Sequence, residues 1–304
     1  MGLPITVPMR AKLNILKSTL LIGLIGFISA PSAIERRYLA PMEESKWSMT
    51  STSRLLCEME HVIPYFGKAI FSREAGRKLR LKLVTDQRFS DSFDVELVSK
   101  SPSWKAPRKP IMLASLKTSN QGTLLDISER DAQLAYLELH NGFQPGFYFS
   151  DDNSLFDSMT VLMSTVRFRD AVPAFEQCVK GLYPQHYEDV RLAKIHFKHD
   201  AEFPLMADEQ TAFSEILDYL EVDKSIIEIT ISGHADQTGT VCYNDTLSSR
   251  RAWYTYDLLV QLGVDPNLLR VDFYGESKPY KEGNTKNDRA ANRRVTVELK
   301  RKVL

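Results

Sequence analysis

Asp236, Asn244, Arg251 and Arg293 are the side chains whose types and order in this sequence could do chemistry. Asp236 lies in the run Gly233-His234-Ala235-Asp236-Gln237-Thr238-Gly239, bounded by glycines that let a chain turn sharply. Asn244, Leu247-Ser248 and Arg251-Ala252 follow, and Arg289-Ala290-Ala291-Asn292-Arg293-Arg294-Val295 closes the set. A carboxylate accepts from an ammonium, and a guanidinium grips a carboxylate through two parallel N–H donors. The constellation is equipped to bind charged groups. No G-x-S-x-G, no H-E-x-x-H and no nucleophile–base pairing accompanies it, so no enzymatic activity is expected. His196 and His199 fall on opposite faces of a strand end, and no Cys/His spacing fits zinc. Neither a metal nor a cofactor is expected. Plainer roles compete for each residue: Asp236 beside glycines as a turn cap, Arg251 beside Arg250 on a solvated helix face. Arg293 and Arg294 alternate across a strand, so one faces solvent while the other faces the domain.

The elements that must position these residues alternate between strand and helix. Leu192 to Phe197 reads as a strand and Asp208 to Leu220 as an amphipathic helix carrying Phe213, Ile216, Leu217 and Leu220. Ile226 to Ile231 is a β-rich run feeding the Gly233 loop. Leu247 to Leu262 reads as a helix stopped by Gly263, which places Arg251 in its first turns. Leu269 to Tyr274, Asp288 to Asn292 and Val295 to Leu299 give a strand, a helical turn and a last strand. Upstream the grammar differs. Leu79 to Leu83, and Phe93, Val95 and Leu97, alternate with period two, and Phe147, Phe149, Val161 and Val166 fit further strands. One helix is expected from Ala171 to Leu182, where Ala174, Phe175, Cys178, Val179 and Leu182 recur at spacings of three and four. The fold class is therefore α+β: an antiparallel β-rich domain over residues 34–187, then an α/β sandwich over 188–304 with helices on one face of its sheet.

Length and charge agree with two soluble domains: 304 residues, 43% hydrophobic, 26% charged, with Lys+Arg and Asp+Glu both at 39. That balance gives no field for nucleic acid. Arg10, Lys12 and Lys17 precede the short apolar run Leu20 to Ile28 and the small residues Ser29 to Ala33, the pattern of a signal peptide over residues 1–33. The run is too short to span a bilayer comfortably, so the mature form is expected to carry no membrane span. Export permits disulfides, and of Cys57, Cys178 and Cys242 one must stay unpaired within the chain.

The ordered pattern G-H-x-D-x-x-G, N-x-x-L-S-x-x-R-A and R-A-x-N-R-R-V resembles the OmpA-like domain that binds peptidoglycan. The resemblance implies a ligand, diaminopimelate, whose free end presents an ammonium beside a carboxylate. Asp236 would accept from the ammonium and Arg251 would grip the carboxylate, while Asn244 and Arg293 occupy supporting positions. Asp200 is a weaker candidate, at a place where the family often carries a polar residue. Ala235 departs from the family, which commonly has Thr there. On this reading Asp236→Ala or Arg251→Ala abolishes wall binding and leaves the fold intact.

Arg37-Tyr38-Leu39-Ala40-Pro41, Ser45-Lys46-Trp47 and the long run Cys57 to Ser72 resemble the N-terminal domain of the MotY family of flagellar motor proteins. Ser103-Trp104 and Phe175-Glu176-Gln177-Cys178 add shorter echoes. The resemblance implies a periplasmic protein of the flagellum basal body that contacts a MotX-like protein and a PomA/PomB-type stator. It also implies a Cys57–Cys178 disulfide, leaving Cys242 free. Trp47, Tyr65 and Trp104 are expected in the core. The competing readings are a wall-tethering envelope protein without a motility role, and an envelope enzyme carried to the wall by its C-terminal domain.

Overall fold

The computed structural model describes residues 36–87, 92–119, 123–150, 158–204 and 206–302. The expected leader, residues 1–33, lies outside the described residues. The first half builds β1 (Arg36–Tyr38), β2 (Ser48–Thr52), β3 (Leu56–Ile63), β4 (Gly67–Glu74), β5 (Arg80–Thr85), β6 (Asp94–Lys100), β7 (Ile111–Lys117) and β8 (Thr123–Ile127). Helix α1 (Glu129–His140), β9 (Gln144–Ser150), β10 (Met159–Leu162) and α2 (Phe168–Lys180) complete it. The strands form two five-stranded sheets, ordered β1-β10-β9-β6-β7 and β2-β3-β4-β5-β8. All pairings are antiparallel except β1 with β10. The alternation read from the sequence places Leu81 and Leu83 of one sheet, and Val95 and Leu97 of the other, in a single core with Met59, Phe71, Phe147 and Phe149. Burying such faces is the main term that holds two sheets together.

The elements of the first half differ from the sequence reading at two places. Val166 lies in the turn before α2, not in a strand, because Met163 to Thr165 already leave the sheet. Helix α1 was not expected, although Ala132, Ala135, Tyr136 and Leu139 bury one face of it at helical spacing.

Trp47 is core, as expected: its indole N–H donates to the Ser164 carbonyl at 2.8 Å and its ring stacks on His61. His61 Nε2 accepts from the Ser164 N–H at 3.3 Å, so its Nδ1 carries the proton and donates to the Lys46 carbonyl at 2.9 Å. Trp104 and Tyr65 are not core; they are 55% and 94% exposed. Cys57 and Cys178 are joined by a disulfide that ties β3 to α2, and Cys242 is a free, exposed thiol.

The second half contains α3 (Tyr187–Val190), β11 (Leu192–His196), α4 (Met206–Val222), β12 (Ile226–Gly233), α5 (Val241–Gln261), β13 (Leu269–Phe273), α6 (Lys286–Asn292) and β14 (Arg294–Arg301). Its sheet runs β11-β14-β12-β13, with β12 and β13 parallel and the other pairs antiparallel. Ile229, Ile231, Val295, Val297 and Leu299 are buried in a core with Phe213 and Ile216 of α4 and Ala252 and Leu259 of α5. The alternate positions are polar and carry the Lys300–Glu228 pair at 2.6 Å. One apolar face under helices and one solvated face is the expected sandwich.

The halves meet where Ala75 joins the second core beside Tyr183 and Tyr219. Arg77 grips Asp189 through two bonds of 3.2 and 3.3 Å, and a Cβ on Gly76 would stand 2.4 Å from the His186 nitrogen. β11 starts beside this joint, directly after α3.

Candidate functional site

The loop that leaves β12 is fixed by how closely α5 lies on that strand. A Cβ on Gly233 would meet the Ser248 carbonyl oxygen at 2.1 Å, so only glycine permits the contact. Ser248 uses its hydroxyl to accept from the Gly275 N–H at 3.0 Å, which pins the loop after β13 alongside. Much of the motif is thus a packing device that holds the loops after β12 and β13 at one end of the sheet.

Asp236 sits in that loop, 4% exposed. Its Oδ1 accepts from the Thr238 N–H at 2.9 Å and from the Thr238 hydroxyl, and its Oδ2 accepts from Arg293 Nη1 at 2.8 Å. Burial raises its pKa, but the Thr238 and Arg293 hydrogen bonds together outweigh burial and leave it below 3.8. The turn-cap role and the charged role coexist, because the two oxygens divide them.

Arg251 lies in the third turn of α5, since that helix begins at Val241 with Thr240 as its cap, earlier than the sequence indicated. It is fully buried. Its Nε donates to the Ala201 carbonyl at 2.8 Å, Nη1 to the His234 carbonyl at 3.1 Å and Nη2 to the Lys198 carbonyl at 3.4 Å. Burial, then the Arg293 charge, lowers its pKa to about 10, so it remains cationic at neutral pH. Arg293, at the end of α6, also donates from Nε to the Phe197 carbonyl at 3.1 Å. Asn244 holds the loop from below, donating to the Asp236 carbonyl at 3.1 Å and to the Glu276 carboxylate.

The fold therefore brings Asp236, Asn244, Arg251 and Arg293 together. Asp200 lies on the rim, with φ at 57° and its carboxylate accepting from the Tyr243 hydroxyl. Ala235 is buried, its N–H donating to the Gly275 carbonyl at 2.7 Å. His234 is buried too, and desolvation followed by the Arg294 and Lys278 charges pushes its pKa down to about 4. Among the described residues no group of His, Cys, Asp and Glu is arranged to hold a metal.

Sequence reasoning missed Thr238, Tyr243, Glu276 and Asn292. Thr238 was legible as the second residue after an aspartate, the position of an Asx turn. Asn292 accepts from the Tyr280 and Lys281 N–H groups at 2.8 and 2.9 Å and so staples the loop before α6. Tyr243 and Glu276 gave no signal, because their partners are distant in the chain.

Comparison with known proteins places both halves. Residues 38–184 match the family model for the MotY N-terminal domain, and residues 200–293 match that of the OmpA family. The chain joins a MotY N-terminal domain to an OmpA-family domain. It is 27% identical over 282 residues to the sodium-type flagellar protein MotY of Vibrio parahaemolyticus, covering 91% of this chain and 96% of that one. The OmpA-family domain alone is 44% identical over 71 residues to outer membrane porin F of Pseudomonas aeruginosa, covering 23% of this chain and 20% of the porin. It is 53% identical over 51 residues to the peptidoglycan-associated lipoprotein of Rhizobium meliloti, covering 17% of this chain and 29% of the lipoprotein. Among solved structures, the peptidoglycan-associated lipoprotein of Burkholderia pseudomallei is similar at 26% identity over 36% of this chain and 90% of that one, with a TM-score of 0.34.

Proposed function

We propose that this MotY homologue anchors a flagellar motor assembly to the cell wall from the periplasm, by binding the diaminopimelate of peptidoglycan at Asp236, Arg251 and Arg293. The observation that carries the reading is the cluster of one carboxylate and two guanidinium groups, assembled from the loop after β12, helix α5 and the end of α6. A ligand ammonium takes the place of the Arg293 guanidinium on Asp236. The released guanidinium then meets the ligand carboxylate, so both charges stay paired throughout. Arg251 spends donors on three carbonyls and so fixes the loops, and its buried charge adds to that of Arg293 beside the same carboxylate. Asn244 keeps the Asp236 backbone in place.

The MotY N-terminal domain would join the basal body and contact a MotX-like protein and a PomA/PomB-type stator. Weak wall sites repeated around such an assembly add through effective concentration, so no single site needs high affinity. The contacts of Ala75 and of Arg77 with Asp189 join the wall-binding half to the motor-side half.

The test is co-sedimentation of the mature chain with isolated sacculi. Wild type is expected to pellet, and Asp236→Asn to remain in the supernatant with an unchanged circular dichroism spectrum. Equal pelleting of both would refute the site. Loss of swimming in a deletion strain, restored by wild type but not by Asp236→Asn, separates the motor reading from general wall tethering.

A further inference from the structure

Trp104 is held out of the protein by a loop that is itself held still. In the connection between β6 and β7, Ser103, Trp104, Ala106, Pro107, Lys109 and Pro110 are exposed, and Ile111 and Met112 continue the apolar surface at 43% and 52% exposure. The backbone beneath is tied down. Pro102 is buried, the Lys105 N–H donates to the Pro102 carbonyl at 3.0 Å, and the Ser101 hydroxyl donates to the Ala106 carbonyl at 2.9 Å. Arg108 is spent internally: its guanidinium stacks on Phe143, donates to the Ser99 hydroxyl at 2.9 Å and pairs with Glu138. A fixed loop that exposes an indole, an isoleucine and a methionine has already lost the entropy that docking would cost.

We propose that this loop is a membrane-contacting element that seats Trp104, Ile111 and Met112 at an anionic phospholipid surface. The flanking cations are lysines, Lys100 and Lys109, with flexible stems and compact charges suited to headgroups that offer no fixed geometry. Lys105 is held inward, over the Phe143 ring at 3.7 Å and on the Asn141 carbonyl at 2.6 Å, while Lys100 rests over the Tyr148 ring at 4.0 Å. Tryptophan prefers the same interface, with its ring apolar and its N–H wet. A protein that added a strand to the free edge of β7 would meet Pro110 at its start and a break in register at Leu113. Membrane contact of this kind requires no spanning helix, and none of the described helices is long and apolar enough to cross.

The experiment is flotation of the mature chain with vesicles of phosphatidylethanolamine and phosphatidylglycerol, run beside phosphatidylcholine vesicles, with indole emission read in a Trp253→Phe background. Binding to anionic vesicles, a blue shift of the emission, and weakening by salt are expected. Lys109→Glu should cut partitioning about tenfold or more, since each cation near such a surface contributes comparably. Trp104→Ala should abolish the blue shift. Both positions are exposed, so the fold survives either change. Failure to float with anionic vesicles would overturn the proposal, as would flotation that both variants leave unchanged. Loss of a protein partner by Trp104→Ala without vesicle binding would assign the loop to that protein instead.

Discussion

Arg293 donates to Asp236 across 2.8 Å, so the carboxylate best placed for a ligand ammonium is already paired with a cation of the chain itself. Both groups are largely buried, with side-chain exposures of 16% and 4%. A buried carboxylate without a partner is costly, and this internal pair removes that cost while the site is empty.

The exchange is testable with small probes. Isothermal titration should show diaminopimelate binding to wild type, none to Asp236→Asn, and about tenfold or more weaker binding to Arg293→Gln, the loss of one charge-assisted contact. A diamine without carboxylates should behave in reverse and bind Arg293→Gln better than wild type. If both probes bind Arg293→Gln as they bind wild type, the ion pair is structural alone.

Arg251 requires a revision of the sequence-based expectation. Truncating it to alanine strands the Ala201, His234 and Lys198 carbonyls and opens a cavity, so a loss of stability is predicted. A loss of about 2–5 kcal/mol is expected in urea unfolding. Arg251→Lys should recover part of the stability. A variant as stable as wild type would mean that the carbonyls find water instead.

Acid should destabilise the OmpA-family domain well above the carboxylate range. His234 is held neutral, its pKa pushed down to about 4, while the unfolded chain takes up the proton near 6.5. A base with a depressed pKa contributes fully above pH 6.5 and loses that contribution as pH falls towards 4. The slope is up to about 1.4 kcal/mol per pH unit. His61, lowered chiefly by burial, acts with the same sign in the first half. Asp236, held below 3.8, gives way only at lower pH. Thermal melts between pH 7 and 4.5 should show the fall, and His234→Phe should flatten it. An unchanged slope in that variant would remove His234 from the account.

The disulfide closes a separation of 121 residues. The chain-entropy model gives it about 4–5 kcal/mol of stabilisation. Cys178→Ser should therefore lower the urea midpoint of the first half markedly, whereas alkylation of exposed Cys242 should leave it unchanged. Equal midpoints for Cys178→Ser and wild type would mean that the reduced chain is constrained by other contacts.

The strands were legible where one face is buried: Leu81, Leu83, Val95 and Leu97 alternate because the sandwich demands it. The start of α5 was not, because Cys242 to Thr246 carry no apolar period. Its only local mark is Thr240, whose hydroxyl accepts from the Tyr243 N–H. Helix α1 escaped because its buried face is half alanine, a weak hydrophobic signal next to Tyr136 and Leu139. Trp104 and Tyr65 misled for the opposite reason: aromatic identity favours the core, but a loop and a hairpin tip hold them outside.

At the site, the sequence by itself determined which residues are present, their order, and that a glycine-bounded aspartate precedes a helix bearing adjacent arginines. It did not determine which arginine turns inward. Arg250 and Arg251 differ by one step of a helix, about 100° of rotation. Only the packing of α5 against Gly233, through Ser248 and Ala252, sets that phase. It sends Arg250 out to Glu202 at 2.6 Å and buries Arg251 under three carbonyls. Side-chain direction on a helix is fixed by what the helix packs upon, and that partner lies elsewhere in the chain.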